Sequence, residues 1–266
     1  MPSYVIGGAS RGLGYEYLRN LSADNSNIVI GLVRDKAAVE DKLARDNITN
    51  VHILQADLTD HKALLDAAEE TSSLTGGSLD VLIVNGAYVS NETASLAPTQ
   101  FIGREDFLKS DLKTSFLTNV LGPWYTINCF LSLIRVGITK KIIVISTGMS
   151  DPDFAQIAGI PSSVPYTVSK AGTNMLVTKY SIELKPDGII VLALSPGLVN
   201  TKEKAPTPEE LSQYAVLFAQ FKSYAPDFVG PISPKESVEA QLKVIKKVTM
   251  DDSGKFLSHH GTKTWL

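Results

Sequence analysis

IGGASRGLG at residues 6–14 follows the apolar run Tyr4–Ile6 and opens a helical pattern. The order of strand, glycine turn and helix is the one that a dinucleotide-binding site requires. Gly8 can adopt backbone angles that a Cβ atom forbids, Gly12 lets the main chain approach a pyrophosphate, and Gly14 lets the helix pack closely on the sheet. Free N–H groups at the helix start favour phosphate. The alternative is a purely structural turn, because many tight turns contain glycine.

The composition narrows the class of protein. The chain has 266 residues, of which 44% are hydrophobic, and no apolar run is long enough to span a membrane. A net charge of −3, without a large basic block, argues against nucleic acid as a partner. Cys129 is the only cysteine and the four histidines show no metal-binding spacing, so we expect no disulfide and no metal. Because the first strand begins almost at Met1, we expect no signal peptide and a soluble, cytoplasmic protein.

Apolar runs alternate with amphipathic stretches along the whole chain. Runs rich in Val, Ile and Leu predict strands at about 3–8, 27–33, 51–56, 80–85, 140–147, 188–195 and 254–258. Amphipathic spacing predicts helices at about 12–23, 36–46, 60–75, 104–134, 163–185, 207–222 and 234–248. We therefore expect an α/β fold of the Rossmann type, with a doubly wound, mostly parallel seven-stranded sheet, helices on both faces and a single domain over residues 1–266.

The residue after the second strand bears on the choice of dinucleotide. An acidic side chain there would bind the ribose 2′-hydroxyl of NAD, whereas Arg34 accommodates the 2′-phosphate of NADP. Arg11, within the glycine turn, supplies a second cation. Asp35 is interpreted as the cap of the helix that starts near Lys36. We therefore favour NADP(H) as the cofactor.

A tyrosine and a lysine share one helix face directly after a strand that ends in two hydroxyl residues. Tyr166 and Lys170 are four residues apart, a spacing that no other tyrosine of this chain has to a lysine. A nearby ammonium lowers the pKa of a tyrosine, and one buried lysine with a positive nicotinamide ring could bring it near neutrality. The tyrosine can then pass a proton to an alkoxide near neutral pH. Neighbouring strand residues face opposite ways, so Ser146 and Thr147 cannot both face a substrate in an unbroken strand. A chance or surface pair is the alternative reading of the tyrosine and lysine.

Pro123 interrupts the long helix predicted at 104–134. Proline has no N–H, so it cannot bond to the carbonyl four residues earlier, which belongs to Asn119. We expect a kink and one free acceptor to which a water can bind. The alternative is that Asn119 merely marks the kink.

Together these features resemble the short-chain dehydrogenase/reductase family. The glycine spacing Gly8-x3-Gly12-x-Gly14 and the Tyr166-x3-Lys170 pair carry the resemblance, which extends over essentially the whole chain. Among the branches of the family, the chain is most similar to the C-factor-like and carbonyl-reductase ones. The resemblance implies that Tyr166 is the acid and that Lys170 lowers its pKa and anchors the ribose. It also implies that Thr147 (or, less favoured, Ser146) holds the carbonyl and that Asn119 is the relay residue.

The resemblance also implies which strand ends hold the cofactor. An Asp after the third strand binds adenine, small residues after the fourth form a wall against a ribose, and a Pro-Gly segment after the sixth meets the nicotinamide. The match is partial after the fourth strand, where the family usually has Asn-Asn-Ala-Gly. The expected cofactor contacts are Gly8, Ser10, Arg11, Gly12, Leu13, Gly14, Arg34, Asp57, Leu58, Asn85, Gly86, Ala87, Tyr166, Lys170, Pro196, Gly197, Val199 and Thr201. Without the resemblance, Asp57 would be interpreted as a helix cap.

Two segments, at 148–164 and 206–230, are expected to close a substrate pocket. The second directly follows the nicotinamide contact, and Gly230-Pro231 ends it with a hinge. Its residues Leu211, Tyr214, Phe218 and Phe221 fall at helical spacing and form an apolar stripe. The alternative is a helix packed on the core. The expected substrate contacts are Tyr88, Met149, Phe154, Tyr214 and Phe218.

The expected activity is reduction of a ketone or aldehyde of a bulky, apolar small molecule by NADPH, in a protein that forms a homodimer or homotetramer and binds no membrane. A non-redox NADP-binding protein on the same scaffold is the alternative. Such a protein should have lost Tyr166 or Lys170, and this chain keeps both. An epimerase or dehydratase would need a larger carboxyl-terminal substrate domain.

Overall fold

The computed structural model describes residues 1–201 and 207–266, and in these residues seven strands form one parallel sheet. In chain order they are β1 (Ser3–Gly7), β2 (Ile28–Val33), β3 (Val51–Gln55), β4 (Val81–Val84), β5 (Lys141–Ile145), β6 (Ile190–Ser195) and β7 (Phe256–Ser258). Their order across the sheet is β3-β2-β1-β4-β5-β6-β7. The strand order reverses between β1 and β4, which is where such sheets bind ligands.

Helices cover both faces of the sheet. One face is covered by α1 (Gly12–Ser22), α2 (Lys36–Arg45) and α9 (Pro234–Lys247). The other face is covered by α3 (His61–Thr75), α5 (Gly122–Val136) and α7 (Val164–Glu183), with α4 (Glu105–Phe116) packed against α7. The remaining helices, α6 (Pro152–Ile157) and α8 (Pro208–Tyr224), form a smaller cluster with the C-terminal tail. None of the described helices is long and apolar enough to cross a bilayer.

The architecture predicted from the sequence is confirmed. Each strand lies within two residues of its predicted bounds. Two α-helical regions differ from the prediction. α6 was not predicted, because it is too short to show a periodic pattern, and the helix expected at 104–134 is divided. A π-helical turn at Leu117–Leu121 separates α4 from α5 and ends two residues before Pro123, which lacks a backbone donor.

Candidate active site

The glycine turn brings the chain against the start of α1. A Cβ atom on Gly14 would lie 2.1 Å from the carbonyl oxygen of Gly8, so only glycine fits there. Gly8 has φ of 76°, a conformation that side chains with a Cβ rarely adopt. The Asn85 side chain donates to the same Gly8 carbonyl at 3.0 Å. Asn85 therefore fixes the turn from the end of β4, a contact that the sequence did not predict.

Within the described part of the chain, the start of α1 has no side-chain cap. Arg11 occupies the N-cap position without a capping bond, whereas Asp35 caps α2 through the Ala38 N–H at 3.0 Å, as predicted. The first N–H groups of α1 therefore remain available to an anion such as a pyrophosphate. Thr201 lies beside the turn, since a Cβ atom on Gly12 would be 3.3 Å from the Thr201 Cβ. These residues fit the phosphates of a dinucleotide.

Basic residues surround the outer side of the glycine turn. Arg34 follows β2 and is exposed. A surface cavity of about 570 Å³ lies nearby and is lined by Ser10, Arg11, Lys42, Arg45 and Asp46. A phosphate at this edge of the sheet would meet a predominantly positive surface.

The segments after β3 and β4 meet at the carboxyl edge of the sheet. Asp57 accepts hydrogen bonds from the N–H and hydroxyl of Thr59, both at 2.8 Å. The cap of α3 is Asp60, so the interpretation of Asp57 as a helix cap is wrong. Leu58 packs under Gly86, where a Cβ atom would lie 2.5 Å from the Leu58 side chain. Gly86 has no side chain and the exposed Ala87 has only a methyl group, so the backbone after β4 is accessible at this edge.

The predicted catalytic residues converge at the end of β5. The Thr147 hydroxyl lies close enough to the phenol of Tyr166 to lower the pKa of that phenol. Lys170 is 1% exposed, and its ammonium donates to the Ile145 carbonyl at 2.7 Å. The structure therefore places two hydroxyl groups side by side, with a buried cation one helical turn away.

Burial controls the ionisation of this pair. It raises the pKa of Tyr166 to about 12, although the Thr147 hydroxyl lowers it. Burial also lowers the pKa of Lys170 to about 8, so the ammonium form still predominates at neutral pH. In the chain alone, desolvation of the phenolate is the largest effect on the tyrosine pKa. A shift towards neutrality through the lysine and a positive nicotinamide ring stays a prediction.

Ser146 faces away from the tyrosine. Its hydroxyl is buried and lies 3.4 Å from the Ser150 hydroxyl, which accepts a bond from Asn174 at 3.0 Å. This is the alternation expected for neighbouring strand residues. Of the two hydroxyls at the end of β5, it is that of Thr147 which faces Tyr166.

The Asn119 side chain joins the loop after β4 to α7. Its oxygen accepts from the Tyr88 N–H at 2.7 Å, and its nitrogen donates to the Tyr88 carbonyl and the Ser169 hydroxyl, both at 2.9 Å. The Tyr88 hydroxyl donates to the buried Asp111 at 2.9 Å. Tyr88, expected to contact substrate, is thus held between α4 and Asn119 by both its backbone and its hydroxyl.

The Asn119 carbonyl is not the free acceptor that the sequence predicted. Pro123 does disturb the helix, and the disturbance takes the form of the π-helical turn. However, the buried hydroxyl of Thr173 donates to this carbonyl at 2.6 Å. A carbonyl oxygen has a second lone pair, so a water can still bind. Thr173 lies fifty-four residues away in the chain, and no local pattern pointed to it.

The segment after β6 is anchored by a short bridge. The Ile232 N–H donates to the Leu198 carbonyl at 2.9 Å, and the Asn200 N–H donates to the Ile232 carbonyl at 3.0 Å. In extended backbone, alternate peptide groups point to opposite sides. The N–H and carbonyl of Val199 therefore project away from Ile232, which suits the predicted contact with a carboxamide.

The apolar stripe of α8 is divided between a cluster and the surface. Phe221 is buried and stacks on Phe154 with ring centroids 5.9 Å apart. Phe218 is 38% exposed, and Leu211 and Tyr214 are exposed as well. The stripe is therefore neither wholly a core face nor wholly a free surface.

Contacts join the two predicted lid segments. The Gln220 side chain on α8 donates to the Gly159 carbonyl at 2.6 Å, and Met149 packs against the same cluster. The predicted lid starts at Pro206, which lies outside the described residues.

The C-terminal tail is part of this region, which the sequence did not predict. Trp265 is 3% exposed and stacks on Phe256 with ring centroids 4.3 Å apart. A Cβ atom on Gly148 would lie 2.8 Å from the Trp265 Cβ, so the tail rests directly on the residue after Thr147. Lys263 also lies 3.8 Å from the Asp151 carboxylate.

Known proteins resemble this chain in sequence and in fold. Residues 3–212 match the sequence model of the family described as short chain dehydrogenase. The chain is 42% identical to the short chain dehydrogenase virK of Hypocrea virens and 43% identical to the short-chain dehydrogenase/reductase AacuF of Aspergillus aculeatus, each over the full length of both chains. The NADPH-bound carbonyl reductase from chicken fatty liver has a similar structure, with a TM-score of 0.77 at 23% identity, covering 98% of this chain and 93% of the other.

Trp265, in the C-terminal tail, should contribute far more to the stability of the fold than Trp124 does. Trp265→Ala removes a buried side chain, and we expect a loss of about 3–5 kcal/mol in the free energy of unfolding, measured by urea denaturation. Trp124→Ala is the matched control, because Trp124 is 47% exposed, and it should cost less than about 1 kcal/mol. Equal losses in the two variants would show that the tail is not packed as described.

Proposed function

The chain belongs to the short-chain dehydrogenase family, and we propose that it is an NADPH-dependent carbonyl reductase for a bulky, apolar small molecule. The observation that carries the proposal is the pair of hydroxyls of Thr147 and Tyr166, with the buried ammonium of Lys170 one helical turn away. Two such hydroxyls can bind one carbonyl oxygen. Their place at the carboxyl end of β5 is where a sheet of this type binds its ligands.

In this proposal Thr147 and Tyr166 hold the carbonyl oxygen of the substrate. NADPH, when bound, supplies the hydride that reduces the carbonyl carbon. Tyr166 donates its proton to the oxygen as the alkoxide forms, and the ammonium of Lys170 favours the phenolate that remains. Asn119, bonded to Ser169 beside Lys170, takes part in the relay that restores the proton.

Turnover of NADPH with a panel of ketones, aldehydes, quinones and imines tests the proposal. We expect loss of NADPH absorbance with bulky apolar carbonyl compounds and little with small acids or sugars. A complete lack of turnover across the panel would contradict a reductase function. The cytoplasmic location and the homodimer or homotetramer stay predictions.

The preference for NADPH is supported by charge. Arg34 is exposed directly after β2, and Arg11 lies at the start of α1 beside a basic cavity. Two proteins of similar structure bind a cofactor of this kind: the carbonyl reductase from chicken fatty liver binds NADPH, and a putative short-chain dehydrogenase/reductase from Burkholderia multivorans binds NADP. An arginine is suited to a ribose phosphate because it forms charge-assisted hydrogen bonds.

Arg34→Ala should narrow the preference for NADPH over NADH. The substitution removes a charge-assisted contact worth about 1.5–3 kcal/mol, which corresponds to roughly a 10- to 150-fold loss in NADPH affinity with NADH affinity unchanged. Binding of both cofactors is measured by fluorescence titration. Equal affinity of the unmodified chain for the two cofactors would refute the assignment.

Tyr166→Phe should abolish carbonyl reduction while NADPH binding is retained. The ring is kept and the proton is removed, so we expect the rate to fall by about 100- to 10,000-fold. Between the strand-end hydroxyls, Thr147→Val should cost more rate than Ser146→Ala, because Ser146 faces Ser150. Near-normal turnover of Tyr166→Phe would favour a non-redox function. A larger loss of rate in Ser146→Ala than in Thr147→Val would make Ser146 the carbonyl holder.

The apolar surroundings of the site support a bulky, apolar substrate. The residues proposed to contact it are Tyr88, Met149, Phe154, Tyr214 and Phe218. Phe154 is only 2% exposed and stacks on Phe221, so it contacts substrate only when the cluster opens. Phe218 packs against Phe228 with ring centroids 5.4 Å apart, yet keeps more than a third of its surface exposed. It can therefore change partners when a substrate binds, whereas the buried Phe221 cannot do so without opening the cluster. A lid of this kind excludes water during hydride transfer.

Phe218→Ala should raise KM for a bulky ketone while the free energy of unfolding changes by less than about 1 kcal/mol. Phe221→Ala is the matched control on the same helix, and its loss of a buried ring should cost about 3–5 kcal/mol. Steady-state kinetics and urea denaturation measure the two effects. An unstable Phe218→Ala variant with unchanged KM would assign the whole stripe to the core.

A further inference from the structure

A buried series of hydrogen bonds connects α1 to the turn that follows β6. The Tyr17 hydroxyl on α1 donates to the side-chain oxygen of Gln241 on α9 at 2.8 Å. The Gln241 amide nitrogen donates to the Ser237 hydroxyl at 2.9 Å, and this hydroxyl donates to the Pro196 carbonyl at 2.7 Å. The side chains of Tyr17, Gln241 and Ser237 are all 0% exposed.

The bond from Ser237 to the Pro196 carbonyl fixes which group donates in each of the other bonds. Ser237 gives its single proton to the Pro196 carbonyl, so it can only accept from Gln241. The Gln241 amide must therefore turn its nitrogen to Ser237 and its oxygen to Tyr17. Loss of one member leaves a buried polar group without a partner, which is costly. A fully satisfied buried series of this kind specifies one arrangement of the elements that it joins.

The last bond orients the peptide group that starts the turn. All described peptide bonds are trans, so a Pro196 carbonyl that points to α9 directs the Gly197 N–H away from α9. Gly197 has φ of 81°, and a Cβ atom there would lie 2.7 Å from the His259 ring. The turn is therefore held between Ser237 on α9 and the buried His259 after β7.

We infer that Tyr17, Gln241 and Ser237 are positioning residues for the nicotinamide end of the cofactor. They set the Pro196–Gly197 turn relative to α1, whose first turn faces the phosphates. The inference rests on the proposed function, because it takes a nicotinamide dinucleotide as the ligand. The adenosine end is served by other contacts, at Arg34 and Asp57, which lie at the opposite side of β1.

Cofactor fragments separate these two ends. NADPH and 2′-phospho-ADP-ribose, which lacks the nicotinamide, are titrated against the full chain by calorimetry. Ser237→Ala should weaken NADPH binding about tenfold and leave the fragment within about twofold, since one buried hydrogen bond is lost at the turn alone. Tyr17→Phe is the milder variant and should weaken NADPH about threefold with the same selectivity.

Tyr180→Phe is the matched control. Tyr180 is also a buried tyrosine with a bonded hydroxyl, but it lies on α7 and bonds to Asn128 on the opposite face of the sheet. The Tyr180→Phe variant should bind NADPH and 2′-phospho-ADP-ribose with unchanged affinity. Equal weakening of NADPH and the fragment, or no weakening in either Ser237→Ala or Tyr17→Phe, would overturn the inference while the proposed function stands. If the unmodified chain bound neither NADPH nor NADH, the proposed function and this inference would both fall.

Discussion

One buried ammonium group sets the geometry of the site. Lys170 is withdrawn from water and donates to the carbonyl of Ile145, the last residue of β5. A buried cation without such an acceptor would be strongly destabilising, so α7 is held in register with the end of the strand. Tyr166 lies one turn earlier on the same helix face and therefore meets Thr147, two residues beyond Ile145.

The parallel sheet brings the other groups to the same edge. β4 ends beside β1 and β5, so Asn85 reaches the Gly8 carbonyl and braces the glycine turn. β6 ends beside β5, which places Pro196 and Gly197 on the far side of Tyr166 from the glycine turn. A dinucleotide that extends between these strand ends would present its nicotinamide to Tyr166. The fold thus explains why residues far apart in the chain act together.

Much of the fold, but less of the site, could be predicted from the sequence. The strand and helix bounds and the Asp35 cap follow from local patterns, because periodicity and capping depend on near neighbours. The bond from Thr173 to Asn119 and the packing of Trp265 on Gly148 join distant segments, so no local pattern contains them. The raised pKa of Tyr166 in the chain alone has a related origin, since desolvation depends on all the surrounding chain.

In the proposed reaction, hydride passes from NADPH to a carbonyl carbon held at Thr147 and Tyr166. This transfer is tested most directly with NADPH that carries deuterium at C4 of the reduced nicotinamide, prepared separately for each face of the ring. The alcohol formed from a bulky ketone is then analysed by mass spectrometry. We predict one deuterium on the former carbonyl carbon with one of the two labelled cofactors. An alcohol without deuterium from either cofactor, or no alcohol at all, would contradict the account.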